Sequence, residues 1–445
     1  MMKAAELTKA NQATKATKVT KRQLHTLASR LCLAAGIAGA ALLSACGSKD
    51  ANNPAATGVP AALKSADAVA RGRYLVRAAD CAACHTTATG AAFAGGVELA
   101  SPFGKFYGTN ITPDKDYGIG KWSAQDFYEA MHDGATPDKR LYSAMPYTSY
   151  RGMSRADSDA IYAYLMQQKP VRVANREVDL KFPYNLRFGV RFWNMLFLQD
   201  ALPDASLGQS AEWQRGRYLS NVLGHCAECH TPRGMLGQLD SANPLKGAAL
   251  GRVAAPEITP AGLAAAGWTA KDLQAFFATG IAPQGSAYGE MYPVVHLSTQ
   301  HLAQEDLAAI STYLMGDKPL SPRALPAPTV EAGKLAAGRQ VYLAVCAGCH
   351  GREGEGKPHV AVAMKGNSSV RNADPRNLLV ATLDGIEEQK FSGTERMQGM
   401  PGFAASLSDQ ELSQLANFLR ASWGGQPDNV TADQVRKLRD SAGGH

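Results

Sequence analysis

No apolar run in this sequence reaches the length of a bilayer. The longest, Leu31–Leu43 (LCLAAGIAGAALL), has 13 residues, against about 20 for a helix that crosses the hydrocarbon core. Spare cysteine is missing as well. Of eight cysteines, Cys32 and Cys46 lie near the N-terminus and the other six fall into three close pairs, so none is left for a disulfide framework. Excess charge is only local. The net charge is +7, but Lys3, Lys9, Lys15, Lys18, Lys21, Arg22 and Arg30 precede residue 46 with only Glu6 opposing them, and the remainder carries +1. A nucleic-acid partner is therefore not expected. No Gly-rich dinucleotide fingerprint and no Ser-His-Asp order is present. With 45% apolar and 19% charged residues, the chain is a packed globular one, and at about 150 residues per domain its length suggests roughly three units.

The first 45 residues read as a secretory signal: a basic stretch to Arg30, the 13-residue apolar segment, then Ser44 and Ala45. Leu43-Ser44-Ala45-Cys46 resembles the lipobox of bacterial lipoproteins, which makes Cys46 the expected lipidation site; cleavage near Ala45 that leaves a free thiol is the alternative. A polar tether over 46–65 follows, and acyl chains hold a protein to a membrane at about 0.8 kcal/mol per buried CH₂. The expected location is the periplasmic side of the bacterial cell membrane.

The six remaining cysteines form Cys81-Ala82-Ala83-Cys84-His85, Cys226-Ala227-Glu228-Cys229-His230 and Cys346-Ala347-Gly348-Cys349-His350. C-x-x-C-H is the attachment pattern of c-type haem. Two thiols one helical turn apart reach the two vinyl groups on one porphyrin edge, and the adjacent histidine swings under the ring to bind iron. Zinc usually takes two distant ligand pairs per metal, whereas here each cysteine pair has its own histidine. Three covalently bound haem c groups are expected.

The surrounding sequence repeats with the motifs. Gly72-Arg73-Tyr74-Leu75, Gly216-Arg217-Tyr218-Leu219 and Gly338-Arg339 open three helical leads. GTNITPD near Asn110 matches APEITP near Pro256, and Ser123 with Asp126 and Thr269 with Asp272 mark helix N-caps. Closing helices are expected over Ser154–Met166, Ala303–Met315 and Ser408–Arg420, with acids in their first turns. Before each is a methionine near a proline. Met145, Met291 and Met400 lie 60, 61 and 50 residues after His85, His230 and His350. A thioether sulfur is a suitable sixth ligand that raises the potential, so Met145, Met291 and Met400 are the candidates. His296 near Met291 and Met397 near Met400 are weaker rivals.

From about 66 to 424 the chain resembles the tri-haem cytochrome c subunits of bacterial membrane-bound dehydrogenases, such as gluconate 2-dehydrogenase, sorbitol dehydrogenase and quinohaemoprotein alcohol dehydrogenase. AMPYTSYRGMS (144–154), KFPYNLRFGVRFWNMLF (181–197), VVHLSTQHL (294–302) and MPGFAASLSDQEL (400–412) carry the resemblance. It implies an all-α fold of three tandem class I cytochrome c modules, each a small helical bundle around one haem. It also implies a catalytic partner subunit holding flavin or pyrroloquinoline quinone, a small chaperone-like third subunit, and ubiquinone or a terminal oxidase as acceptor. Many relatives end in a hydrophobic segment; this chain ends in the polar run 429–445.

The expected boundaries are modules at 66–170, 213–317 and 330–424, a connector at 171–212, a Pro-spaced linker at 318–329 and a polar tail at 425–445. The linker is expected to be a semi-rigid spacer that lets the third module sit apart. The connector carries Phe182, Tyr184, Phe188, Phe192, Trp193 and Phe197 among Arg187 and Arg191. It reads either as seam packing with its arginines on haem propionates, or as a docking strip. Two functional classes stay open. One is an electron-transfer subunit with no substrate chemistry of its own; the other is a haem enzyme, a peroxidase or sulfur-compound oxidase, with an open iron position.

Overall fold

A computed structural model describes residues 60, 63, 67–199, 208–325, 327, 330–393 and 395–441. The leader, Cys46 and nearly all of the tether lie outside them. The described residues belong to one compact unit.

One helix order occurs three times. An opening helix (Ala68–Ala78, Ala211–Tyr218, Ala336–Val345) leads into the C-x-x-C-H turn. A middle helix (Ala124–Asp133, Ala270–Thr279, Arg376–Asp384) follows, and a closing helix (Arg155–Leu165, Gln304–Met315, Asp409–Leu419) ends the repeat. Ser123 with Asp126, Thr269 with Asp272 and Ser408 with Glu411 form reciprocal capping boxes, which satisfy backbone N–H groups that have no partner inside the helix. Strands are two to four residues long. Asp179–Leu180, from the connector, joins Glu98–Ser101 and Gly104–Tyr107 in the only three-stranded sheet among the described residues.

The opening and closing helices cross at a glycine in every repeat. A Cβ on Gly72, Gly216 or Gly338 would lie 1.9, 1.8 or 2.0 Å from the backbone oxygen of Ala160, Ala309 or Gln414. Only glycine lets the two backbones approach that closely. Gly216 is ten residues before Cys226, whereas Gly72 is nine before Cys81. The extra residue is absorbed in a π-helical turn, Leu219–Leu223.

The first two repeats are not separate bundles. Leu75, Ala79, Ile161 and Leu165 share one continuous core with Tyr218, Val222, Leu223, Leu307 and Leu314, and each fully buried aliphatic side chain contributes about 1.5–3 kcal/mol. Two charged clusters cross the seam in a pseudo-twofold exchange. Arg215 holds Asp306 with two bonds of 2.9 and 2.8 Å, and Tyr74 from the first repeat donates to Asp306 at 2.6 Å. Reciprocally, Arg71 holds Asp157 of its own repeat at 2.9 and 2.5 Å, and Tyr218 from the second repeat donates to Asp157 at 2.6 Å. Arg215 and Asp306 side chains are 5% and 1% exposed, so neither charge is solvated if its partner is lost. Asp306→Ala should therefore cost about 3–5 kcal/mol by leaving Arg215 unpaired, and Tyr74→Phe only about 1 kcal/mol. Denaturant unfolding of the two variants checks this order.

The third repeat keeps the module without the pairing face. At the positions of Arg71, Tyr74 and Asp157 it has Ala337, Gln340 and Glu411, which line an open groove of about 370 Å³ with Val341 and Val345. Its core is its own, built from Tyr342, Leu383, Leu412, Leu419 and Trp423.

Two expectations are corrected here. The third module does not stand apart. Arg371 donates to the carbonyls of Ala265 and Arg323 at 2.7 and 2.8 Å, Asn377 pairs both ways with Ala254, Arg252 pairs with Asp384, and Phe391 buries itself against Ala287 and Val295. Proline spacing sets the stiffness of a linker but not which surfaces adhere at its ends. The C-terminal run is also more than a polar tail: Ala432–Asp440 is a helix capped by Thr431 and Gln434 that buries Val435 completely in the third core.

Candidate functional site

Each C-x-x-C-H segment is a single helical turn that follows the opening helix. The turns are Cys81–His85, Ala227–His230 with Cys226 before it, and Ala347–His350 with Cys346 before it. The backbone N–H groups of His230 and His350 each donate to the carbonyl of the first cysteine at 3.0 Å, so both thiols and the imidazole project from one turn. All six thiols are unpaired. Burial pushes the thiols of Cys81, Cys226 and Cys346 up to about 12 and that of Cys84 up to about 11, and raises Cys229 as well.

The three histidines share one geometry. Nδ1 of His85, His230 and His350 lies 2.6, 2.7 and 2.8 Å from the carbonyl oxygens of Thr109, Pro256 and Val362. A carbonyl only accepts, so Nδ1 carries the proton and Nε2 is left with its lone pair. Burial lowers the proton affinity of all three rings, which favours the neutral imidazole a metal requires. This is how a protein orients an iron-binding histidine. It also explains the repeated middle segment: GTNITPD and APEITP supply the carbonyls of Thr109 and Pro256. Among the described residues no group of three or more His, Cys, Asp or Glu is arranged to hold a metal ion. The donor set of two thiols and one oriented imidazole, present three times, fits a covalently attached haem.

Met145, Met291 and Met400 are all partly buried and lie between the middle and closing helices. The Met145 side chain packs against the shared core and is followed by a turn in which the Tyr147 N–H donates to its carbonyl at 2.7 Å. Met291 starts the short helix Met291–Pro293 and packs on the same core. Met400 is held by a two-way backbone pairing with Ile386 at 2.8 and 2.9 Å. Of the rivals, Met397 lies on the strand Arg396–Met397 and packs beside Phe391, while the His296 ring stacks on Tyr292, centroids 5.2 Å apart.

Several residues that matter were not legible as site residues. Glu228, inside the second motif, accepts hydrogen bonds from Thr148 and Ser149 at 3.0 and 3.2 Å, which ties the loop after Met145 to the second haem turn. The Cys229 thiol lies within electrostatic reach of Cys84. Two of the three attachment turns therefore meet at the seam. The connector has two edges. On one, Tyr147 donates to Asn194 at 2.7 Å, Trp193 donates to the Leu236 carbonyl at 2.9 Å, and Arg187 donates to the Arg140 carbonyl while lying over the Tyr142 ring. On the other, Phe182, Phe188, Phe192 and Met195 are 59–78% exposed. No signal of period or spacing separates the two.

A helix order of this kind around a C-x-x-C-H histidine defines a cytochrome c module with covalently bound haem c. The cytochrome c family model matches residues 69–169 and 335–423. The cytochrome c subunit of a quinone-type alcohol dehydrogenase from Gluconacetobacter polyoxogenes is 36% identical over 84% of this chain and 84% of its own length. The gluconate 2-dehydrogenase cytochrome c subunit of Pantoea cypripedii is 35% identical, covering 83% and 89%. One of the nicotinate dehydrogenase subunits of Pseudomonas putida is 38% identical over 86% of this chain, which spans only 32% of that longer protein. The chain belongs to the family of cytochrome c subunits of dehydrogenases. No described helix is long and apolar enough to cross a membrane.

Proposed function

We propose that this chain is a tri-haem electron-transfer subunit that accepts electrons from a dehydrogenase catalytic subunit and passes them to ubiquinone or a terminal oxidase. The single observation that carries the reading is the threefold recurrence of an Nδ1–carbonyl bond on a histidine that follows a pair of free cysteines. In this reading the modules span 66–170, 213–317 and 330–424. Cys81 with Cys84, Cys226 with Cys229 and Cys346 with Cys349 hold the porphyrin edges. His85, His230 and His350, with Nε2 left unprotonated, and the sulfurs of Met145, Met291 and Met400 would be the ligands that hold the iron. When bound, each haem supplies a one-electron ferric–ferrous couple. The protein moves no substrate proton and forms no covalent intermediate; its residues hold, orient and insulate.

The catalytic partner carries flavin or pyrroloquinoline quinone, with a small chaperone-like third subunit completing the complex. The chain is exported and anchored on the periplasmic side through lipid on Cys46, with the exposed edge of the connector on a partner or membrane surface. Intact-mass measurement of the exported polypeptide tests the reading: three haem additions are expected, and fewer would refute it. Carbon monoxide separates the transfer subunit from a haem enzyme. The dithionite-reduced wild type should not bind it, because every iron is capped. Met145→Ala should keep three haems, lower the potential of the first site and bind one equivalent of carbon monoxide; an unchanged redox titration would count against Met145 as a ligand.

A further inference from the structure

The residue just before the first cysteine of each motif differs in a way that the attachment chemistry does not require. It is Asp80 in the first repeat, His225 in the second and Val345 in the third. Val345 is 40% exposed, whereas Asp80 is 9% exposed and lies at the seam between the first two repeats. Asp80 stands in the left-handed backbone region at φ +49°, at the N-cap position of the haem turn, but its side chain makes no capping bond. Its Oδ1 is buried and meets no hydrogen-bond partner. A carboxylate oxygen buried without a donor is costly.

The groups that face it come from both repeats. From its own turn they are Cys81 and Cys84, and from the second haem turn Cys229. From the helix after Met145 comes Tyr150, whose hydroxyl is committed to the Ala79 carbonyl at 2.6 Å and whose ring meets the edge of buried His225. Glu228 acts on Tyr150 and Cys229, and Glu290 on Cys84 and Cys229, both adding negative charge; the one cation near these groups among the described residues, Arg233, acts on Cys229 and is paired with Glu228. Burial, with no neighbouring cation to offset it, pushes the Asp80 carboxyl up to about 8.

We propose that Asp80 couples proton uptake to electron uptake at the first two haems: its carboxyl takes one proton from solvent as an electron arrives and gives it back as the electron leaves. The proposal rests on the haem reading above and deepens it. An electron delivered beside a buried carboxylate brings like charges together in a poorly screened site, which favours the neutral acid. By linkage, the electron's preference for the protonated acid equals the proton's preference for the reduced protein. A single O–H bond forms on the carboxyl, so one proton accompanies the electron that first reduces the seam pair, that electron coming from the dehydrogenase partner; no other bond changes. Cys81, the neighbour of Asp80, joins the porphyrin edge and not the iron, so the acid acts through space on the redox centre.

Spectroelectrochemical titration of the intact three-haem protein across the region around pH 8 tests it. In the wild type, the redox equilibrium of one or both seam haems should change about tenfold per pH unit within the window where Asp80 titrates, the midpoint falling as pH rises. Asp80→Asn, neutral at every pH, should lose that slope and stay at the acid-limb midpoint, while slopes from haem propionates remain in both proteins. Asp80→Glu should restore the slope. Identical pH profiles in wild type and Asp80→Asn would overturn the proposal, as would a Glu variant that behaves like Asn. Redox-difference infrared spectra of the wild type need no variant: reduction should raise a protonated-carboxyl band that shifts in D₂O, and its absence is equally fatal. A protein that carries no haem fails the functional reading; one that titrates normally without these signatures fails only this inference.

Discussion

Gly216→Val should abolish the second haem site and most of the holoprotein yield. A β-carbon at position 216 would stand 1.8 Å from the carbonyl oxygen and 2.4 Å from the carbonyl carbon of Ala309. Both are backbone atoms of a closing helix whose Leu307 and Leu314 are buried in the shared core. Neither helix can yield without opening that core, so the cost exceeds the roughly 1–3 kcal/mol usual for an overpacked side chain and falls in the class above about 4 kcal/mol that only named structural lesions reach. Because the core is common to both repeats, the first haem site should weaken with the second while the third, with its own core, is retained. Gly333→Ala is the control: a β-carbon there meets nothing within 4 Å, and its effect should lie within about 0.5 kcal/mol of zero. Haem counting by intact mass, with denaturant unfolding followed in the Soret band, distinguishes these outcomes. A Gly216→Val protein with three haems and unchanged stability would refute the close crossing.

His230→Ala should leave the polypeptide folded and Cys226 and Cys229 in place, but remove the low-spin spectrum of one haem in three. Its side chain is held by a 2.7 Å bond between Nδ1 and the Pro256 carbonyl. Losing that bond costs about 1 kcal/mol, whereas on the tri-haem reading proposed above the loss of the nitrogen on the opposite ring edge would take away an iron ligand. Added imidazole should restore the low-spin band, since the vacated space and the metal are both still there. His230→Ala with the wild-type spectrum would remove His230 from the ligand set, and with it the threefold argument from Nδ1.

The attachment turns, the capping boxes and the closing helices were all legible in the sequence, because each depends on residues within about one to four positions of one another. The middle segment GTNITPD was visible as a repeat, but its purpose was not: Thr109 matters through its carbonyl, and a backbone atom leaves no mark of its own in a sequence. Arg71 and Arg215 stand just before the repeated helical leads and carry no mark of their own in the sequence, and Tyr74 and Tyr218 read only as part of those leads. They become a buried exchange only because two copies of the module meet face to face. Asp80 is one position from a motif that fixes attention on the cysteines, and nothing local says that it is buried. The connector's aromatics and arginines leave seam packing and a docking strip as alternatives, and in the folded chain one edge packs on the first two repeats while Phe182, Phe188, Phe192 and Met195 on the other are exposed.

Chemistry that acts over one helical turn was therefore decided by the amino-acid order alone: three cysteine pairs, three histidines and the caps that start each helix. Which modules share a core, which glycines are crossings, which acid is buried and where the third module rests were decided only in three dimensions. The reason is physical. A bond between near neighbours is set by covalent spacing, whereas burial and charge pairing depend on which surfaces meet, and two nearly identical modules can meet in many ways until the whole chain packs.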